Sequence, residues 1–327
     1  MNSNKRLLSS TVPAAAHSGN MCRYLADRFK YCSEQQWKEF TRQNRVTVNN
    51  VLAHSDTRVH PGDIVTFDPP PDSEPPVNSN YVIVHEDECI LIVNKPPLLP
   101  VHPSGRFFYH TLWYMLREKY GTIHIITRLD RETSGLVLIA RTPEEARRLQ
   151  SCQQQEKIAK QYAVLVHGRF PSGTQRVDGW LSTDTDSLIR KKRCFTHEQP
   201  LEEKAENCST IVELQRTLLL KNKIVSEVYA QLITGRTHQI RAVMQGLGFP
   251  VVGDKMYGLS EEFFLRFIDD ALTKTDTERL IMNHQALHCR SLSFPGRQQP
   301  LCFEVPWPAS STPPSLNRGL THNLATA

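Results

Sequence analysis

The chain has 327 residues, 39% of them hydrophobic, and a formal net charge of +5. That is too long for one typical domain and apolar enough for a sizeable core, so two domains are expected. The mild positive charge permits a nucleic-acid partner without demanding one, and no apolar run is long enough to cross a bilayer, so no membrane partner is expected.

Residues 1–20 carry Lys5 and Arg6, several Ser and Ala, and no acid. They are expected to be a disordered tail, with an organelle transit peptide as the alternative. Residues 21–68 form a small module. Cys22–Phe29 begins a helical pattern with Tyr24, Leu25 and Phe29 on one face, and a second amphipathic stretch runs through Trp37, Phe40 and Thr41. Val46-Thr47-Val48 alternates like a strand and stops at Asn49-Asn50, residues that tolerate the positive φ of a tight turn. Pro61-Gly62-Asp63 makes another turn before Ile64–Phe67. Residues 69–79 are rich in proline and should act as a semi-rigid linker.

From Tyr81 the pattern changes. Tyr81–Val84, Cys89–Val93 and Leu136–Ala140 read as buried strands. The last runs into Thr142-Pro143-Glu144-Glu145, a helix start with Thr as N-cap and Pro at the first helical position. Tyr162–Val166 and Val228–Thr234 are further strands, and 261–280 reads as a helical insertion. Strands with few helices imply one large α+β sheet domain over 80–308. Residues 309–327 are Ser/Pro/Thr-rich and expected to be a disordered tail. The eight cysteines are scattered without a C-x-x-C pair. Reduced thiols in a reducing compartment are therefore expected, rather than disulfides or a zinc site.

Three clusters could carry chemistry. Asp130 lies between Arg128 and Arg131, ahead of Thr133-Ser134-Gly135 and a buried strand. A carboxylate held beside a strand end can serve as nucleophile or base, although alone it reads more readily as a surface ion pair with Arg131. Thr234-Gly235-Arg236-Thr237-His238-Gln239-Ile240-Arg241 follows a strand and is dense in donors, an anion-binding corner or a solvated loop. Lys160, Tyr162, Val164 and Val166 share one strand face, where a Tyr is more often core than catalytic.

Together, in this order, these clusters resemble the RNA pseudouridine synthases of the RluA type. The family's first motif, H-R-L-D-x-x-T-S-G, is matched by T-R-L-D-R-E-T-S-G at 127–135, with Thr127 in place of the usual His. The strand with its Tyr matches at 160–168, and G-R-[TS]-H-Q-[IL]-R matches unchanged at 235–241. Asn94-Lys95-Pro96, Pro100-Val101-His102-Pro103, Gly253-Asp254, Tyr257-Gly258 and Ala286-Leu287-His288 agree as flanking features. The resemblance spans about 81–306, and several long motifs in order are far more specific than one. The module at 21–68, with its two helices and hairpin, resembles an S4-type RNA-binding domain.

The resemblance implies a mixed, mainly antiparallel catalytic sheet preceded by the S4-like α+β module. It implies isomerisation of uridine to pseudouridine, in which N1–C1′ breaks and the turned base rejoins through C5. No cofactor or metal is then expected, and the partner is RNA, tRNA slightly ahead of rRNA. Asp130 is implied as catalytic carboxylate, Arg236 as its basic partner, and Tyr162 as the ring stacked on the target base. Arg128 is implied to replace the flipped uridine. Arg131, His238, Arg241, Lys160 and Lys95 are counted as RNA-binding. The run Arg190-Lys191-Lys192-Arg193 is either a phosphate contact or a solvated loop. A monomer in the cytoplasm is expected, with mitochondria as the alternative compartment. The competing reading is a catalytically silent RNA-binding or ribosome-assembly protein using the same groove.

Overall fold

The computed structural model describes residues 7–14, 19–29, 32–70, 74–202, 204–268 and 271–307. The chain divides into two compact units: Met1–Pro76 with Pro103–His110, and Val77–His102 with Thr111–Ala327. The segment Pro103–His110 thus groups with the N-terminal unit and interrupts the stretch 80–308 expected to be one domain. Its anchor is the Glu74 carboxylate, which accepts the backbone N–H groups of Phe108, Tyr109 and His110 at 2.9, 3.0 and 2.8 Å.

The N-terminal unit contains β1 (Leu8–Thr11), β2 (Gly19–Asn20), α1 (Met21–Arg28), α2 (Glu34–Arg42), β3 (Val46–Val48), β4 (Val51–Leu52), β5 (Arg58–Val59) and β6 (Ile64–Phe67). Asn20 caps α1, and Ser33 with Gln36 closes a capping box on α2, so both helix starts satisfy their first N–H groups. The helices bury Met21, Cys22, Leu25 and Trp37. The Trp37 ring meets Phe67 edge-on at 4.8 Å. Asn49 and Asn50 take φ values of 50° and 66° and turn β3 into β4 as their side chains allow. The sheet order is β1-β6-β3-β4. Strand β1 corrects the expectation of a disordered tail over 1–20. Leu8–Thr11 pairs antiparallel with β6, with Leu8 opposite Phe67, because its alternation lets every second residue face the core. Residues 1–6 and 15–18 of that expected tail, residues 71–73 of the linker, and the expected tail at 309–327 lie outside the described residues.

The second unit contains β7 (Val82–Glu86), β8 (Ile90–Lys95), α3 (Leu112–Tyr120), β9 (His124–Ile125), β10 (Ser134–Ala140), α4 (Pro143–Gln154), β11 (Ala159–His167) and β12 (Thr174–Thr183). There follow β13 (Arg193–Thr196), β14 (Glu206–Leu220), β15 (Lys223–Leu232), α5 (Gln239–Gly246), α6 (Glu262–Ile268), α7 (Lys274–Leu280), β16 (Leu287–Pro295) and β17 (Pro300–Glu304). Nine strands run β13-β12-β14-β15-β11-β16-β10-β8-β7, with β17 on β16 and β9 on β10. Among the described residues only β10 and β16 pair in parallel, so the sheet is mixed and mainly antiparallel. All seven residues of β10 are buried, as the apolar run Leu136–Ala140 requires. Each of its large aliphatic side chains contributes about 1.5–3 kcal/mol through burial. Thr142 caps α4 with Pro143 at its start, as expected. All eight cysteines are free. Among the described residues no helix is long and apolar enough to cross a membrane.

The parallel junction explains one glycine. Gly135 has φ of +109°, and a Cβ there would lie 2.3 Å from the Cys289 carbonyl oxygen. Backbone cannot yield as a flexible side chain can. Gly135→Ala is therefore expected to cost about 3 kcal/mol or more. Urea denaturation checks this; an unchanged midpoint contradicts it.

Candidate active site

Asp130 sits in the loop that feeds β10. Thr127 pins that loop: its hydroxyl accepts from Leu138 N–H at 2.9 Å, and the residue is fully buried. The Thr that replaces the family's usual His thus has its own anchoring role. Further along, Glu132 accepts from Lys255 at 2.9 Å, Gln285 donates to the Thr133 hydroxyl, and Ser134 meets His288 Nδ1 at 2.9 Å. The loop is held on both sides of Asp130, yet about a third (35%) of the Asp130 side chain remains exposed.

The cation that faces this carboxylate is Arg241, not Arg236. Arg241 Nη1 donates to Asp130 Oδ2 at 2.7 Å. Its other edge holds Asp254 in a fork, Nε to Oδ2 at 2.6 Å and Nη2 to Oδ1 at 2.9 Å. Asp254 is fully buried and also takes the N–H groups of Met256 and Tyr257, both at 2.9 Å. One guanidinium therefore bridges a buried carboxylate and a partly exposed one, and its Cζ lies 4.7 Å from the Tyr257 ring centre. The reason lies in the backbone. His238 adopts the left-handed region with φ of 58° and starts α5, which carries Arg241 in its first turn. Arg236 precedes that turn and reaches the other way, to the Asn207 carbonyl at 3.2 Å and its side chain at 3.3 Å.

His238 does not cap α5 with its side chain. Its Nδ1 meets the Tyr257 hydroxyl at 3.0 Å and its Nε2 lies 3.8 Å from Asp130 Oδ1. The Tyr257 oxygen also accepts Arg193 N–H at 2.8 Å, and its own proton can be donated to Nδ1. In the tautomer that accepts this proton at Nδ1, the Nε2 proton faces Asp130. Holding His in the left-handed region costs on the order of 1 kcal/mol, which this pairing offsets.

Burial acts to raise the Asp130 pKa. The Arg241 charge opposes it, followed by His238 and by hydrogen bonds from Arg241 and Gln285, and the carboxyl ends below the ordinary carboxylate value. Burial, then Arg241, lowers the His238 pKa, so its ring is neutral at neutral pH. A carboxyl with a lowered pKa is ionised throughout the range above its ordinary value. It loses its charge only as pH falls through its own lower value. The rate constant kcat/KM is therefore expected to show no step from either group between about pH 6.5 and 8.5. A pH profile on one fixed RNA checks this; an acid limb centred near neutrality contradicts it.

The other expected residues separate into two groups. Tyr162 joins the site: it is 5% exposed, shares a hydrogen bond with the Cys289 thiol, and feels the Asp130 charge. Arg128 is exposed on the same loop. Arg131 lies over the Phe267 ring at 5.4 Å. Lys160 is half-buried, with its amine against Gly235. Lys95 is not available to RNA. It is fully buried, and its amine donates to the carbonyls of Pro96, Leu99 and Arg131 at 2.9, 2.9 and 3.2 Å. Arg241 is likewise too buried, at 7% exposure, to hold a phosphate. In the basic run, Lys192 pairs with Asp184 and Glu261, and Arg193 with Glu206, which leaves Arg190 and Lys191 exposed. Lys255 and Glu132 were missed as a pair, since nothing in their local sequence links positions so far apart.

This α+β unit, with a carboxylate loop entering a buried strand of a mainly antiparallel sheet, has the pseudouridine synthase fold. Human RNA Pseudouridylate Synthase Domain Containing 1 matches it with a TM-score of 0.58 and 24% identity, covering 71% of this chain and 86% of that one. The sequence profile of the RNA pseudouridylate synthase family matches residues 89–246. Ribosomal large subunit pseudouridine synthase D of Buchnera aphidicola is 31% identical over 78% of this chain and 80% of its own length. The mitochondrial tRNA pseudouridine(32) synthase of Saccharomyces cerevisiae is 30% identical over 71% of this chain, a match spanning 49% of the yeast protein. The chain belongs to the RNA pseudouridine synthases, a family of isomerases.

Proposed function

We propose that this chain converts specific uridines of a structured RNA to pseudouridine, with tRNA the first candidate substrate and Asp130 the catalytic carboxylate. The observation that supports this most directly is the state of Asp130. Its side chain is partly exposed, and its carboxylate is held by Arg241 and kept below the ordinary carboxylate range. An acid catalyst needs the opposite, a carboxyl raised by its surroundings. Asp130 is thus suited to act as nucleophile or base.

The reaction is balanced without an external reagent. The N1–C1′ bond breaks, a C5–C1′ bond forms, the hydrogen on C5 leaves as a proton, and N1 takes a proton. A base inside a stack cannot be reached, so the target uridine must leave it. Arg128, exposed beside Asp130, fills the space left behind, and Tyr162 packs against the uracil. The helix–hairpin module at 21–68 adds an S4-like RNA contact. Pseudouridine mapping of total RNA from cells with and without the gene tests the proposal. One or more positions, in tRNA first, should lose the modification. Identical maps would reject it.

A further inference from the structure

Strand β12 offers a second surface that the catalytic reading leaves unused. Pleating sends Arg176, Asp178 and Trp180 to one face of the strand. The register with β14 sets Asp178 opposite Ser209 and Trp180 opposite Asn207. These side chains, with Thr234 and Arg236, line an open cavity of about 430 Å³. That lies within the range of pockets that hold small ligands, about 300–1,000 Å³.

The chemistry of the lining is specific. Trp180 is only half-buried, at the end of a row of otherwise exposed charged residues. Arg176 holds both oxygens of Asp178, at 3.1 and 3.0 Å, yet the two side chains stay 62% and 58% exposed. Arg236 lies across the cavity, bonded to Asn207. The His197 ring completes the wall, its Nδ1 at 3.3 Å from the Asp178 carbonyl. Both signs of charge are present, so this is not a sink for polyanion alone. An aromatic face, a carboxylate that accepts base N–H groups and guanidiniums that take phosphate together fit a nucleotide.

The cavity is also tied to the catalytic loop. Gln239 accepts from the Thr234 hydroxyl at 3.0 Å and from Arg236 N–H at 2.9 Å. Its amide donates to the Ser209 carbonyl at 3.0 Å and the Thr210 hydroxyl at 2.9 Å. Two residues later Arg241 holds Asp130. One buried amide therefore fixes the cavity wall and the start of the helix that carries the catalytic cation. We infer that this cavity is a subsite for a second, unpaired nucleotide of the RNA substrate, its base stacked on Trp180 and its phosphates held by Arg176 and Arg236. The inference rests on the proposed function, and it adds where the RNA beyond the target uridine is gripped.

The test uses the full chain. Asp130→Asn protein is loaded with unmodified RNA containing thio-substituted uridine and guanosine, cross-linked with near-ultraviolet light, and mapped by mass spectrometry. Cross-links are expected within residues 174–183. In the otherwise wild-type chain, Trp180→Ala should raise KM about 10-fold with kcat changed less than about 2-fold, Trp180→Phe should restore KM, and the surface variant Arg176→Glu should raise KM similarly. Cross-links confined to other segments, or Arg176→Glu and Trp180→Ala with wild-type KM, overturn the subsite. A wild-type chain that makes no pseudouridine rejects the proposed function instead, while the cross-link map still decides the subsite.

Discussion

Asp130→Asn is expected to abolish turnover while leaving the fold and RNA binding intact. The amide has the shape of the carboxylate, and its oxygen still accepts from Arg241 Nη1. Arg241 keeps its fork on Asp254, so the buried part of the network is undisturbed. Only the anion is lost, and with it the proposed nucleophile or base. Replacing such a group costs on the order of 10^4-fold or more in rate. Single-turnover assays on a mapped RNA measure the loss, and thermal melting within a few degrees of wild type confirms that chemistry rather than folding has failed. Residual activity above a tenth of wild type would contradict the assignment.

Arg241→Ala is expected to damage stability and activity together. The substitution leaves the Asp254 carboxylate buried with two backbone N–H groups and no counter-charge. Breaking a buried pair in this way costs about 3–5 kcal/mol. For a unit of this size that is a fall in Tm of roughly 10 °C. Asp130 also loses the cation that holds it ionised, so its pKa rises and the folded fraction is less active. Removing Asp254 as well should recover much of the stability, because the orphaned charge disappears with its partner. Arg241→Lys keeps the charge but has no fork to span two carboxylates, and should fall between wild type and Ala. Matching melting curves for wild type and Arg241→Ala would mean that the guanidinium does not bridge the two.

This pair shows what could be read from sequence. The order of the motifs placed Asp130, and the unbroken apolar stretch after it placed β10. The motif points to Arg236 as the partner of Asp130, but Arg241 of the same motif holds it while Arg236 reaches Asn207. What decides is that the chain turns at His238 before α5 begins, a left-handed backbone state that no periodicity reveals. Lys95 and Arg241 look like RNA contacts because charge in a motif suggests solvent. Both are buried, with their donors on carbonyls or carboxylates. Strand β1 hid in a Ser-rich segment, because a four-residue edge strand has too few apolar positions to stand out. Strands β12 to β14 carry charge on their open faces, so the Trp180 cavity has no sequence signal. The glycines at 135 and 253 were visible only as motif letters. Their need is steric: a Cβ at Gly253 would lie 2.1 Å from the His284 carbonyl oxygen, beside the turn that presents Asp254.

The most direct test of the central claim follows the atom that must leave. Joining C5 to C1′ displaces the hydrogen on C5, so RNA carrying tritium at C5 of uridine releases it to water only when the isomerisation occurs. Purified wild-type chain should release one tritium for each target uridine, and the Asp130→Asn variant, folded and RNA-bound, should release none above background. Equal release by the two proteins, or none by the wild type on RNA from cells lacking the gene, would contradict an Asp130-dependent pseudouridine synthase.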